Sequence, residues 1–265
     1  MSRYETMFAR LVAAGEGAFG AFVMLGDPDL EASAAILDAL VEGGADMLEV
    51  GIPFSDPIAD GPVIQAAAVR ALAESVTPAQ CFALLADFRR RHADIPVGIL
   101  TYANLVLARG REAFYTAAAE AGVDSVLVAD APMMEAPPFV EAARGAGVAP
   151  VLIAAPNTPE PVLEEIAAAG EGYTYCVARA GVTGANEEVQ FAHGLLFENL
   201  ERLGAAPPVL GFGISRPEHV RQALEAGAAG VISGSAIVRL IAEDPAGATA
   251  SVKDFTASMK AATRR

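Results

Sequence analysis

Positive charge is scarce in this sequence: 18 lysines and arginines stand against 33 aspartates and glutamates, a formal charge of −15 at pH 7. A surface so acidic disfavours nucleic acid and anionic membranes as partners, so an anionic ligand must be held by local dipoles and not by the overall field. Thiols are few as well. Cys81 and Cys176 lie far apart in 265 residues, which suits a reducing, cytoplasmic compartment better than a disulfide framework. No apolar run reaches the roughly 18 residues of a membrane span. The best candidate, "AAGVISGSAIVRLIA" from Ala228, holds hydrogen-bonding small residues and is then interrupted by Arg239. The opening segment sets Arg3, Glu5 and Arg10 among apolar residues at helical spacing, so it lacks the apolar centre of a signal peptide and predicts a short leading helix. Metal-ligand spacing is missing. So is the dinucleotide-binding glycine fingerprint, since "MLGDPDLEAS" after the first strand candidate has the wrong glycine spacing.

What is present is an apolar, repetitive chain. At 53% hydrophobic it can bury a full core, and its length fits one α/β domain over residues 1–265, since barrels of that class run to about 250 residues. One unit recurs: an Ala- and Glu-rich helical segment ends in glycine, two or three residues pass, and a β-branched run begins. It reads "EGGADMLEV", "EAGVDSVLV", "GAGVAPVLI" and "EAGAAGVIS", with Gly44, Gly122, Gly147 and Gly227 where a helix ends in a left-handed residue. Adding the runs near Phe22, Gly98, Tyr175 and Leu210 gives eight strand candidates, alternating with helical stretches such as Glu31–Val41 and Thr77–Arg91. Eight alternations predict a closed (β/α)8 TIM barrel with a short extra N-terminal helix; a doubly wound open sheet is the competitor.

The chain is organised around "DMLEVGIPFSDPIADGP", from Asp46 to Pro62. Glu49 sits inside an apolar strand, flanked by Met47, Leu48 and Val50, where an unpaired carboxylate costs several kcal/mol or keeps its proton. Asp60 follows in the next loop. Burial lifts one carboxyl toward neutral pH while a wetter neighbour stays ionised, which is the pairing that acid–base chemistry needs. A satisfied structural glutamate with a helix-capping aspartate is the alternative. If the barrel is right, both residues lie toward the carboxyl ends of strands, where such barrels carry their sites. Tyr173 and Tyr175 share one face of the sixth strand, so one of them can line the mouth. The loops "GFGIS" at Gly211–Ser215 and "SGSAIV" at Ser233–Val238 follow the last two strands, a common phosphate site in barrels. There Gly213 and Gly234 admit backbone N–H groups, and Ser235 adds a hydroxyl at a helix start. "RAGVTGANEE", from Arg179, supplies Gly181 and Gly184 as a third loop able to close over the site.

These residues carry a resemblance. "LEVGIPFSDPIADGPVIQ", "YANLV", "VDSVLVADAP", "YTY", "RAGVTGA", "GFGIS" and "GSAIV" resemble the tryptophan synthase α subunit family, in that order and at its spacing, over essentially the whole chain. The resemblance implies a TIM barrel that cleaves indole-3-glycerol phosphate to indole and glyceraldehyde 3-phosphate in an α2β2 complex. Pyridoxal phosphate is expected only on the β partner, and no cofactor or metal in this chain. The resemblance makes Glu49 the proton shuttle, Asp60 the partner of the indole N–H and Tyr175 an assisting group. It places Phe22, Leu100, Leu127, Ala129, Ile153, Phe212 and Ile232 around the indole, and Thr183, Gly184, Gly213, Gly234 and Ser235 at the phosphate. Pro53, Asp56, Pro57 and Asn104 resemble the β-subunit contact. Met24, Val63 and Thr101 depart from the expected pattern, and Glu187 and Glu188 put two carboxylates in the presumed lid. Rival readings are a different phosphate-binding barrel enzyme, a self-sufficient indole-releasing lyase, and a low-activity chain that mainly activates a β subunit.

Overall fold

The computed structural model describes residues 1–177 and 193–264. Nine parallel strand segments run in chain order as β1 (Ala18–Met24), β2 (Met47–Gly51), β3 (Val97–Thr101), β4 (Ser125–Val128), β5 (Ala149–Pro150), β6 (Leu152–Ala154), β7 (Thr174–Val177), β8 (Pro208–Gly211) and β9 (Gly230–Ser233). Their order in the sheet is β5-β4-β3-β2-β1-β9-β8-β7-β6. The two ends of that order are one piece of chain, since only Val151 separates β5 from β6, and its N–H donates to Val126 O at 3.1 Å. The expected eight staves are therefore present and the sheet closes into a barrel, with the fifth stave in two pieces. Pro150 supplies no N–H there, which weakens the ladder. Strands covered on both faces need no polar side, and all seven residues of β1 are buried.

Helices wrap the outside. Gly44, Gly122, Gly147 and Gly227 adopt φ of 96°, 77°, 74° and 109°, so each predicted joint is a left-handed turn into a strand. The expected helix 31–41 is Leu30–Glu42, and that at 77–91 is Pro78–Arg91 with Thr77 as its cap, its side chain accepting from Gln80 N–H. Beyond these, β2 is followed by a helix Pro62–Ala73 before Pro78–Arg91, and β3 by two helices, Ala103–Arg109 and Arg111–Glu120.

The predicted leading helix is Arg3–Ala14, started by a capping box between Ser2 and Glu5. It lies across the amino ends of the strands: Arg10 pairs with Asp46 just before β2, and Arg3 with Asp124 just before β4, both at 2.8 Å. Its Tyr4 reaches further in, with its hydroxyl 2.8 Å from Ser125 Oγ. The amino end of the barrel is thus plugged, leaving the carboxyl end for chemistry. Among the described residues no helix is long and apolar enough to cross a membrane.

Candidate active site

Register assembles the site. Parallel pairing sets Phe22 beside Glu49, Glu49 beside Gly98, and Gly98 beside Ser125, so four strands contribute to one layer of the barrel. Gly98 is what makes room in that layer: a Cβ there would stand 2.6 Å from Ser125 Oγ and 3.6 Å from the Tyr173 hydroxyl. Into this space Tyr173 extends and donates to Glu49 Oε1 at 2.7 Å, while Oε2 is buried with no hydrogen-bond partner. Glu49 is 1% exposed. Burial pushes its pKa up to about 7, the Tyr173 hydrogen bond pulls the other way, and the nearby Asp60 carboxyl raises it further. A carboxyl that carries its proton about half the time at neutral pH, with one oxygen uncommitted, can both give and take a proton.

Asp60 is held by a residue that its own loop does not predict. The Tyr102 hydroxyl, one residue past β3, hydrogen-bonds the Asp60 side chain and accepts from Ala59 N–H at 3.3 Å. The Tyr102 ring also stacks on Phe54, centroids 5.4 Å apart. The loop between β2 and the helix Pro62–Ala73 is therefore moored at both ends to one tyrosine. Burial raises the Asp60 pKa and the Tyr102 hydrogen bond opposes it. The helix after Asp60 is fixed in turn by Arg70, whose guanidinium forks onto buried Asp27 at 2.7 and 2.8 Å.

Tyr175 lies in the same barrel interior, its ring 6.5 Å from that of Tyr173 and edge-on to Phe212 at 5.8 Å. Gly211 admits it, since a Cβ there would fall 2.2 Å from the Tyr175 hydroxyl oxygen. The next residue, Phe212, holds φ of 68°, a left-handed conformation unusual for a side chain of its size and of the kind that collects at ligand sites. Of the apolar residues expected around a ring, Phe22, Leu127 and Ile232 are buried, while Leu100, Ala129, Ile153 and Phe212 are half-buried. Ala129 and Ile153 also line a separate cavity at the barrel wall that Glu49, Asp60 and Tyr175 do not reach.

At the expected phosphate end, Gly213 turns at φ of 76° after β8. Gly234 leads from β9 into the helix Ser235–Glu243, whose first turn has no side-chain cap. Uncapped N–H groups at a helix start, beside a glycine, are a ready anion site. Thr183 and Gly184, with Arg179, Gly181, Glu187 and Glu188, lie outside the described residues. Pro53 is buried, Pro57 half-buried, and Asp56 and Asn104 are exposed. The sequence reading missed Tyr102 and left Tyr173 unresolved from Tyr175. It also missed three exposed apolar side chains on the segments after β2, β3 and β4: Ile58 at 72%, Leu107 at 48% and Met134 at 83% exposure.

A parallel barrel with paired interior carboxylates and an uncapped helix start after its last strand belongs to the class of phosphate-handling barrel enzymes. The comparisons narrow this. The family model for the tryptophan synthase alpha chain matches residues 8–264. The tryptophan synthase alpha chain of Klebsiella pneumoniae (strain 342) is 55% identical over 100% of this chain and 99% of its own. That of Escherichia coli (strain SMS-3-5 / SECEC) is 54% identical over 100% of both. Among solved structures, Mycobacterium tuberculosis tryptophan synthase superposes with TM-score 0.90 at 29% identity, covering 100% of this chain and 99% of that one. A tryptophan synthase complex from Pyrococcus furiosus gives 0.85 at 36%, covering 92% and 98%. This chain belongs to the tryptophan synthase alpha chain family, the lyases of tryptophan biosynthesis.

Proposed function

We propose that this chain cleaves indole-3-glycerol phosphate to indole and glyceraldehyde 3-phosphate. One observation carries the reading: a fully buried glutamate with a pKa near 7 and a free oxygen sits beside a second carboxyl on a moored loop. A retro-aldol cleavage needs this division of labour. Protonation at indole C3 makes the ring an electron sink and puts positive charge on its nitrogen. The adjacent glycerol hydroxyl then loses its proton, its oxygen becomes the aldehyde carbonyl, and the C3–carbon bond breaks as its electron pair restores the aromatic ring. One proton enters and one leaves, and Glu49 is placed to handle both. Asp60 meets the charge developing at the ring N–H, worth most where water is excluded. Tyr175 assists by hydrogen bonding, the half-buried apolar residues grip the ring, and the Gly213, Gly234 and Ser235 backbone takes the phosphate.

The partner follows from the same loop. Ile58, Leu107 and Met134 stand exposed on the segments that follow β2, β3 and β4, as do Asp56 and Asn104, and exposed apolar side chains on neighbouring segments mark a docking face. A tryptophan synthase β subunit, which would carry the pyridoxal phosphate, gripping Asp56 and Pro57 would fix Asp60 relative to Glu49. The test is indole release from indole-3-glycerol phosphate by the full chain as β subunit is added. Activation of about ten- to a hundredfold is expected, corresponding to about 1.4 to 2.8 kcal/mol of differential affinity. Asp56→Ala should lower that activation while leaving the basal rate nearly unchanged. No indole release in either condition overturns the reading; release that β subunit does not accelerate leaves a self-sufficient lyase.

A further inference from the structure

The fifth stave of the barrel is not sealed against the fourth. β4 and β5 pair only at Ser125–Ala149 and Val126–Pro150, with the Val151 N–H bond to Val126 O as the last link. Above that point β6 pairs with β7 alone. A cavity of about 340 Å³ occupies this seam on the outer side of the wall, bounded by β4, β5 and β6, by the helix Pro137–Gly145 and by the segment 129–136. The volume is at the small end of ligand-holding clefts, about 300–1,000 Å³. Its walls are apolar, with Val128, Phe139, Val140 and Leu152 among them, and two polar groups interrupt them. The Tyr115 phenol makes no hydrogen bond among the described residues. Asp130 commits Oδ1 to Ala103 N–H at 2.7 Å, and among the described residues Oδ2 makes no hydrogen bond. Apolar walls with one hydroxyl and one carboxylate suit an aromatic ring that carries an N–H donor.

We propose that this seam cavity is a second binding site for indole, separate from the site over Glu49. The choice of indole rests on the cleavage reaction proposed above; the class of ligand, a flat aromatic N–H compound, rests on the cavity itself. Ala129 and Ile153 line the cavity and are also expected at the indole slot, so the seam would hold released product against the far side of the wall that bounds the active site.

Equilibrium dialysis of indole against the full chain tests this, with the mouth first saturated by a non-cleavable indolyl-alkyl phosphate. One equivalent of indole should still bind. Val140→Trp, which fills the cavity, should abolish it, whereas Tyr115→Phe and Asp130→Asn should each weaken it by roughly three- to tenfold. The Asp130→Asn variant keeps the acceptor for Ala103 N–H, so it stands as the test if Val140→Trp does not fold. No binding once the phosphate is bound, or binding that none of the three variants changes, overturns the proposal. Because dialysis needs no turnover, a chain that releases no indole but still binds one equivalent here would refute the reaction and keep the site.

Discussion

Asp46, just before β2, and Glu49, in the middle of it, stand three residues apart, 4% and 1% exposed, and their surroundings differ in kind. Asp46 is fully answered: Arg10 and Lys260 each reach it at 2.8 Å, and Phe19 N–H at 2.9 Å. Lys260 carries on to Glu16 at 2.9 Å, tying the last helix to the start of β1. Glu49 receives one phenol and has an orphaned oxygen. Burial costs a carboxylate about the same in either place, so partners decide the outcome. At the plugged end of the barrel the carboxylate is paired and holds the chain together; further along the strand it is left short, and burial pushes its pKa up to about 7.

The largest effect expected from breaking this contrast is on rate. Glu49→Gln keeps the shape and removes the proton, so turnover should fall by about 10²-fold or more, with the far-ultraviolet spectrum unchanged. Single-turnover indole release measures it, and near-normal turnover would remove Glu49 from the mechanism. Asp46→Ala should do the reverse. It leaves the buried Phe19 N–H without its acceptor and Lys260 with Glu16 as its remaining carboxylate, and a loss of about 1–3 kcal/mol of unfolding free energy is expected, with turnover per folded molecule unchanged. A urea titration beside the rate assay separates the two, and a rate loss without a stability loss would invert the assignment.

How far the sequence discloses this contrast depends on how local each cause is. The αβ joints are legible because a glycine after a helical run is a local signal, and Glu49 is legible because a charge inside "MLEVG" breaks a local pattern. The partners are not. Arg10 and Lys260 lie 36 and 214 residues from Asp46, so nothing near "GADM" shows that its carboxylate is satisfied. Tyr173 and Tyr175 share a face by alternation, and which one meets Glu49 depends on the empty space at Gly98, on the strand paired with that of Glu49 and far from both tyrosines in the chain. Tyr102 reads as an ordinary core residue until the Asp60 loop folds back on it. The split fifth stave has a visible cause in Pro150, but the seam it opens exists only once β4 is beside it.

The contrast also predicts a pH dependence with a definite sign. Glu49 has a folded pKa of about 7 against an ordinary value of 4.5. Below pH 4.5 it is protonated folded or unfolded and costs nothing. As pH rises through 7 the folded protein must ionise it in a dry site, and the stability present at low pH is lost. Glu49→Gln removes that cost, so the variant should gain on the wild type between pH 4.5 and about 8, by on the order of 2–3 kcal/mol. Unfolding free energies of both proteins across that range check it. A difference that stays flat with pH would show Glu49 to be better solvated than its burial indicates.

The smallest expected effect sharpens the contrast most, because it changes how much of Glu49 is answered without removing it. Among the described residues Tyr173 alone hydrogen-bonds the Glu49 side chain, and that bond favours the ionised form. Tyr173→Phe takes away one oxygen in a space already opened by Gly98, so packing should hold. A hydrogen bond to a charged group is worth about 1.5–3 kcal/mol, and 1.36 kcal/mol corresponds to one pKa unit, so the Glu49 pKa should rise by roughly one unit or more. At pH 7 the ionised fraction then falls by a factor of several. The limb of the kcat/KM profile that reports Glu49 in the free enzyme should move to higher pH by the same amount, and the plateau beyond it should stay near that of the wild type. A lowered plateau with an unmoved limb would instead mean that Tyr173 orients the glutamate without setting its protonation. The open end of the barrel would then differ from the Asp46 end in geometry and not in charge.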